Sequence, residues 1–204
     1  MTQTVELRCR CGEVEGRLEN VETAAVNRVV CYCDDCQAYA HHLGRADLLD
    51  AQGGSDIVQV APSSLAYTRG TDRIAGVRLK PKGLYRWYAT CCKTPLGNNA
   101  GPSIPFVGIL AGALRSPDDA VGPPAGRIFG KFAVGAAPPG STGANVRLIA
   151  RAVGKILGWK IRGQAWPHPF FDRATRCARC AAPGRPDPAI RSSSRSSCPG
   201  RALT

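Results

Sequence analysis

Three thiols fall within six residues, at Cys31, Cys33 and Cys36, directly after the apolar pair Val29-Val30. Sulfurs at i, i+2 and i+5 converge only where a strand end turns sharply, so this run limits what the chain around it can do. The intervening carboxylates, Asp34 and Asp35, raise a neighbouring thiol's pKa and make it a poor nucleophile by itself, whereas a bound divalent cation removes the proton outright. The spacing therefore points to a metal. Thiolate-rich, nearly tetrahedral sites belong to zinc or iron–sulfur chemistry, and three protein ligands leave a fourth position for water or substrate. A further ligand from elsewhere, such as His41 or His42, would instead close the site into a structural zinc knuckle.

Two other cysteine groups follow the same logic. Val5, Leu7, Cys9 and Cys11 share one parity of an extended segment, and Gly12 lets the chain fold back behind the second sulfur, so residues 5–18 read as two short strands meeting at a turn. Cys-x-Cys-Gly at a hairpin tip is half of a metal site that needs partners from another segment. The aromatic strand Tyr85-Arg86-Trp87-Tyr88 runs into Cys91-Cys92-Lys93-Thr94-Pro95, a thiol-bearing turn. Successive side chains diverge in extended backbone, which leaves one of Cys91 and Cys92 as the ligand. The start Met1-Thr2-Gln3-Thr4-Val5-Glu6 lacks a basic region followed by an apolar stretch, and no run approaches the length of a membrane span, so a cytoplasmic location is expected. Thiols stay reduced there, and clustered cysteines then argue for metal over disulfides.

Cys-x-Cys-Gly, then Cys-x-Cys-x-x-Cys about twenty residues on, then a late aromatic strand ending in a thiol turn, resembles the glutathione-dependent formaldehyde-activating (GFA, or CENP-V domain) family over about residues 5–135. The resemblance implies a mainly β, Mss4-like fold of coiled antiparallel sheets around zinc. It also implies a catalytic Zn2+ at Cys31, Cys33 and Cys36 and a structural Zn2+ at Cys9, Cys11 and the thiols of the late turn, Cys92 and Cys91. Members related to the founding enzyme are credited with joining formaldehyde to the glutathione thiol, a carbon–sulfur lyase assignment. One departure stands out: the family's late motif is Cys-x-x-Cys-Gly, and with Cys92-Lys93-Thr94-Pro95 in its second half the first cysteine falls on Ala89, so that Cys91 has to substitute.

Past the turn, residues 104–110 read as a buried strand and Arg127 to Val134 as a closing strand. After a Pro/Gly linker, residues 146–160 place Val146, Ile149, Val153, Ile156 and Leu157 on one helical face with basic residues between. This is an added C-terminal helix expected to cover the sheet, with membrane-surface or partner binding as the alternative. One domain over 1–172 is implied. Residues 173–204 are rich in Ala, Arg, Pro, Ser and Gly, with Cys177, Cys180 and Cys198, and read as a disordered or non-native tail.

The net charge of +12 suggests nucleic acid until it is divided: 1–68 carries five basic and ten acidic groups, while 69–97 holds seven basic groups against Asp72 alone. The expected partner is a small-molecule thiol or its aldehyde adduct, with no membrane. Two rivals remain: a non-catalytic zinc-stabilised binding module, and nucleic-acid binding through the basic run with Tyr85, Trp87 and Tyr88 as stacking platforms.

Overall fold

A computed structural model describes residues 3–21, 26–143 and 145–174. The chain is mainly β with a C-terminal helix. β1 (Gln3–Arg8), β2 (Glu15–Val21) and β5 (Leu65–Arg69) form a three-stranded antiparallel sheet in the order β1-β2-β5. The second sheet has seven strands: β3 (Asn27–Cys31), β4 (Ser55–Val60), β6 (Ile74–Val77), β7 (Tyr85–Ala89), β8 (Pro95–Asn99), β9 (Val107–Leu110) and β10 (Gly126–Ile128). Their order is β10-β3-β4-β9-β8-β7-β6, antiparallel except where β10 joins β3.

The strands follow from their side chains. β1 alternates, with Val5 and Leu7 buried between exposed neighbours, so one face meets the core and the other meets water. β3 is buried at all five positions because partners flank it on both edges and Cys36 of α1 and Leu148 of α3 cover its Val29/Cys31 face; the β-branched Val29 and Val30 suit such a strand. The two sheets share one core in which Leu7, Leu18, Val58, Ile74, Trp87, Leu96 and Ile109 are essentially inaccessible.

α1 (Asp34–His42) buries Cys36, Tyr39, Ala40 and Leu43, the i, i+3, i+4, i+7 stripe of an amphipathic helix. Tyr39 donates its hydroxyl to the Trp87 carbonyl at 2.8 Å, which fixes the helix against β7. Two acidic residues in its first turn and two histidines in its last suit the helix dipole. A short α2 (Pro117–Val121) precedes β10, and α3 (Val146–Ile161) follows.

Three features differ from the sequence expectation. The closing strand stops at Ile128, because Phe129 adopts a left-handed φ of 60° and residues 130–132 form a 3-10 turn. The C-terminal segment adds more than a helix: the chain returns after α3 and inserts Phe170 and Phe171 into the core, and Phe170 stacks on Trp87 with centroids 4.5 Å apart. Finally, α3 docks through Leu148 and Trp159, while Val146, Ile149, Val153 and Leu157, the face expected to cover the sheet, are exposed. Hydrophobic periodicity identifies an apolar face but not what lies against it. The tail from residue 175, with Cys177, Cys180 and Cys198, lies outside the described residues.

Candidate metal centres

The local cluster is assembled where β3 ends. Cys31 is held on both edges, paired with Ser55 of β4 and Ile128 of β10, and the Tyr32 amide donates to the Ile128 carbonyl at 3.1 Å. The chain then turns into α1: Cys33 is its N-cap residue with extended φ/ψ, and its carbonyl accepts from the amides of Cys36 and Gln37. Gln37 donates from its side chain to the Tyr32 and Phe132 carbonyls, and Tyr32 donates its hydroxyl to Asp50 at 2.8 Å. These contacts bring Cys31 Sγ to 3.4 Å from Cys33 Sγ and 3.7 Å from Cys36 Sγ.

Those separations fit a shared ion. Tetrahedral bonds of about 2.3 Å place sulfurs about 3.8 Å apart, whereas a disulfide requires about 2.05 Å. All three sulfurs lie within 4.8 Å of one another, and among the described residues no fourth His, Cys, Asp or Glu joins them. Cys31 and Cys36 are buried and Cys33 is half-buried, so access is from the Cys33 side. His41 and His42 are exposed at the far end of α1 and are not brought to the cluster.

The electrostatics point the same way. Hydrogen bonds from the Cys31 and Cys36 thiols hold Cys33 far below the ordinary thiol pKa, with the Arg86 charge helping. Hydrogen bonding to Cys33 and Cys36, together with burial, pushes Cys31 far above it. One sulfur ionises only while its neighbours keep their protons; three thiolates together require a cation. Arg86 supplies part of that charge. Its guanidinium is buried, lies 3.8 Å from Cys36 Sγ and over the Tyr39 ring, and among the described residues forms no ion pair with a carboxylate. The sequence signal for Arg86 was a lone charge between aromatics in a strand that is buried on successive positions.

The second cluster joins two hairpins. Cys9 and Cys11 sit at the β1–β2 turn, where Gly12 has φ 81° and donates its amide to the Cys9 carbonyl. Cys91 and Cys92 sit at the β7–β8 turn, closed by the Lys93 amide on the Ala89 carbonyl, with Lys93 at φ 57°. Cys11 Sγ is 3.3 Å and Cys9 Sγ 3.9 Å from Cys91 Sγ, and the four sulfurs lie within 4.8 Å of one another. Both vicinal thiols therefore reach the cluster, as the substitution by Cys91 requires, although the divergence of successive side chains alone would admit only one. The divergence of successive side chains holds for extended backbone, and here the pair occupies a tight turn. Ala89 lies wholly within the core, and Cys91 supplies the remaining sulfur.

Thr94 ties this site together. Its Oγ1 accepts from the Arg10 amide at 3.0 Å and from Arg45 at 3.2 Å, so its hydroxyl proton is left for Cys92 Sγ at 3.1 Å. Desolvation raises the Cys92 pKa, but this bond and donors from the Cys11 and Thr94 backbones outweigh it and bring the thiol down to about 6. Burial is the main influence raising Cys9 and Cys91. The chemistry of both donor sets fits zinc or another thiophilic ion.

The basic run disperses. Arg69 pairs with Glu15, Lys80 with Asp35 at 2.9 Å, and Arg78 lies over Tyr85. Trp87 is buried beneath Phe170 and offers no face to a nucleic-acid base. No helix among the described residues is long and apolar enough to cross a membrane.

Residues 1–181 match the family described as "Family of unknown function (DUF6151)". No curated protein matches the sequence. A crystal structure of a Rhodobacter sphaeroides protein is similar over 54% of this chain and 88% of its own, at 17% identity and a TM-score of 0.39.

Proposed function

The chain belongs to the DUF6151 family, whose function is unknown, and from the geometry of its thiol clusters we propose that it is a zinc-dependent carbon–sulfur lyase resembling the GFA/CENP-V enzymes. Its substrate is the adduct of a small-molecule thiol with an aldehyde. The observation that carries this reading is the trio of sulfurs at Cys31, Cys33 and Cys36, packed at metal-ligand spacing with one member facing outward and no fourth protein ligand among the described residues.

Zinc bound to the three thiolates supplies a position at which a substrate sulfur is stable as a thiolate at neutral pH. The chain's own groups do the rest. Arg86 offsets the excess negative charge of the thiolates and keeps Cys36 in place from the β7 side. Lys80 holds Asp35 at the rim of α1, which leaves exposed Asp34 as the carboxylate that takes the hydroxyl proton of a thiohemiacetal. As that proton leaves, the carbon–oxygen double bond forms, the carbon–sulfur bond breaks, and its electron pair stays on sulfur. The four-sulfur cluster, with no position to spare, acts structurally.

The test is metal content together with turnover. Wild-type protein purified under reducing conditions should carry two zinc ions, and Cys33→Ala should carry one, with its circular dichroism kept. A panel of low-molecular-weight thiols mixed with formaldehyde should show thiohemiacetal formation or cleavage by the wild type alone. A metal-free wild type, or a Cys33→Ala protein with unchanged turnover, overturns the reading. Two zinc ions with no turnover on any thiol would favour the non-catalytic module instead.

A further inference from the structure

α3 carries two opposed faces. Asn145 caps it by accepting from the Leu148 amide, and Leu148 and Trp159 bury the inner side. On the outer side Val146, Ile149, Val153, Leu157 and Ile161 are 71%, 55%, 56%, 56% and 81% exposed. Their spacing of three, four, four and four residues keeps them in one stripe along a 16-residue helix. Five large aliphatic side chains in continuous contact with water cost free energy, and isolated surface residues of this kind do not normally line up.

The charge around the stripe identifies what covers it. Between Asp119 and Asp172 the sequence has seven Lys or Arg and no Asp or Glu, and five of the seven, Arg147, Arg151, Lys155, Lys160 and Arg162, belong to α3 or its C-cap. At 100° per residue, Arg147 and Lys160 border the stripe, whereas Arg151, Lys155 and Arg162 line the groove between α3 and the body of the molecule, Arg151 donating to the Val26 carbonyl at 3.2 Å. The segment that follows, 173–204, adds seven Arg and one Asp. A second copy of the chain docked stripe to stripe would bring the like charges of Arg147 and Lys160 together near both ends of the helix. A nucleic acid would meet the cations but leave the aliphatic stripe in water. A surface that is anionic where the cations lie and apolar beneath satisfies both features, and a bilayer containing acidic phospholipid has that layered chemistry. The length agrees: about 24 Å of helix lies flat in an interface, and the intervening cations forbid burial across the hydrocarbon.

We propose that α3 is a peripheral membrane-binding element that seats its Val146, Ile149, Val153, Leu157 and Ile161 stripe in the interfacial layer of an anionic bilayer, with the bordering Arg147 and Lys160 side chains at the phosphates. The inference does not depend on the lyase reading, because it rests on a different face of the molecule.

The experiment is sedimentation of the full-length protein with vesicles of phosphatidylcholine alone and of phosphatidylcholine with phosphatidylglycerol. Binding should be at least about tenfold stronger to the anionic vesicles and should weaken with salt. Val153→Asp with Leu157→Asp should abolish it, and Ile149→Ala with Val153→Ala and Leu157→Ala should reduce it severalfold. All five positions face solvent, so the fold and zinc content of both variants should match the wild type. Wild-type protein that fails to sediment with anionic vesicles overturns the proposal, as does concentration-dependent dimerisation through the stripe without vesicle binding. Undiminished binding by the alanine variant or by a folded aspartate variant would also overturn it, because the arginine-rich segment alone would then account for adhesion.

Discussion

Cys31, Cys33 and Cys36 come together within a single strand-to-helix turn, whereas Cys9 and Cys11 meet Cys91 and Cys92 across 80 residues of chain. The ligand chemistry is shared and the construction is opposite. A site made from neighbouring residues closes almost no chain loop, so losing its ion releases little conformational freedom. A site made from two hairpin tips closes a long loop between the three-stranded sheet and the larger one, so an ion held there would contribute directly to folding. Among the described residues the local cluster has three sulfurs, of which Cys33 is half-buried, and the distant one has four, of which Cys11 is exposed. Ligand number and loop length are what set the two sites apart, and under the proposed function they assign chemistry to the first and architecture to the second.

The sharpest way to break this contrast is Cys9→Ser, which removes a buried sulfur from the inter-sheet cluster. It should cost on the order of 5 kcal/mol or prevent folding, read by thermal unfolding in reducing buffer. Wild-type melting would erase the distinction. Cys33→Ser should remove one zinc equivalent and reduce turnover by at least about a hundredfold, as expected for a lost ligand at a reaction centre, while lowering stability by less than half as much as Cys9→Ser. Comparable unfolding by both variants would make the local cluster structural too. Arg86→Met keeps the bulk in β7 and removes the charge beside Cys36. Zinc affinity at the local site should fall by about 10–100-fold, measured by chelator competition, with the second zinc unaffected. Thr94→Val is the smallest test: it deletes the donor to Cys92 and should cost about 1–2 kcal/mol without altering turnover per bound zinc.

Much of this division was legible in the chain. Cys-x-Cys-x-x-Cys after two valines implied a strand end that turns sharply, and Cys-x-Cys-Gly implied a hairpin tip. What could not be read was anything set by distant partners. That Cys91 and Cys92 converge depends on the turn closed at Ala89 and Lys93, and Arg86 acquires its role only when α1 docks on β7 and carries Cys36 to it. The face of α3 was misread for the same reason. Its aliphatic stripe is a property of the sequence, while the docking of Leu148 and Trp159 is a property of the surface they meet.

Phe170 and Phe171, stacked on Trp87 and edge-on to Tyr85, fill the middle of the molecule from nearly the end of the described chain. During synthesis every thiol of both clusters leaves the ribosome long before these two rings do. The nascent protein must therefore carry seven reduced sulfurs through a stage in which its interior still lacks a plug. Early zinc capture would protect them from oxidation, and a stop shortly before residue 170 would leave Trp87 stacked on Tyr85 alone.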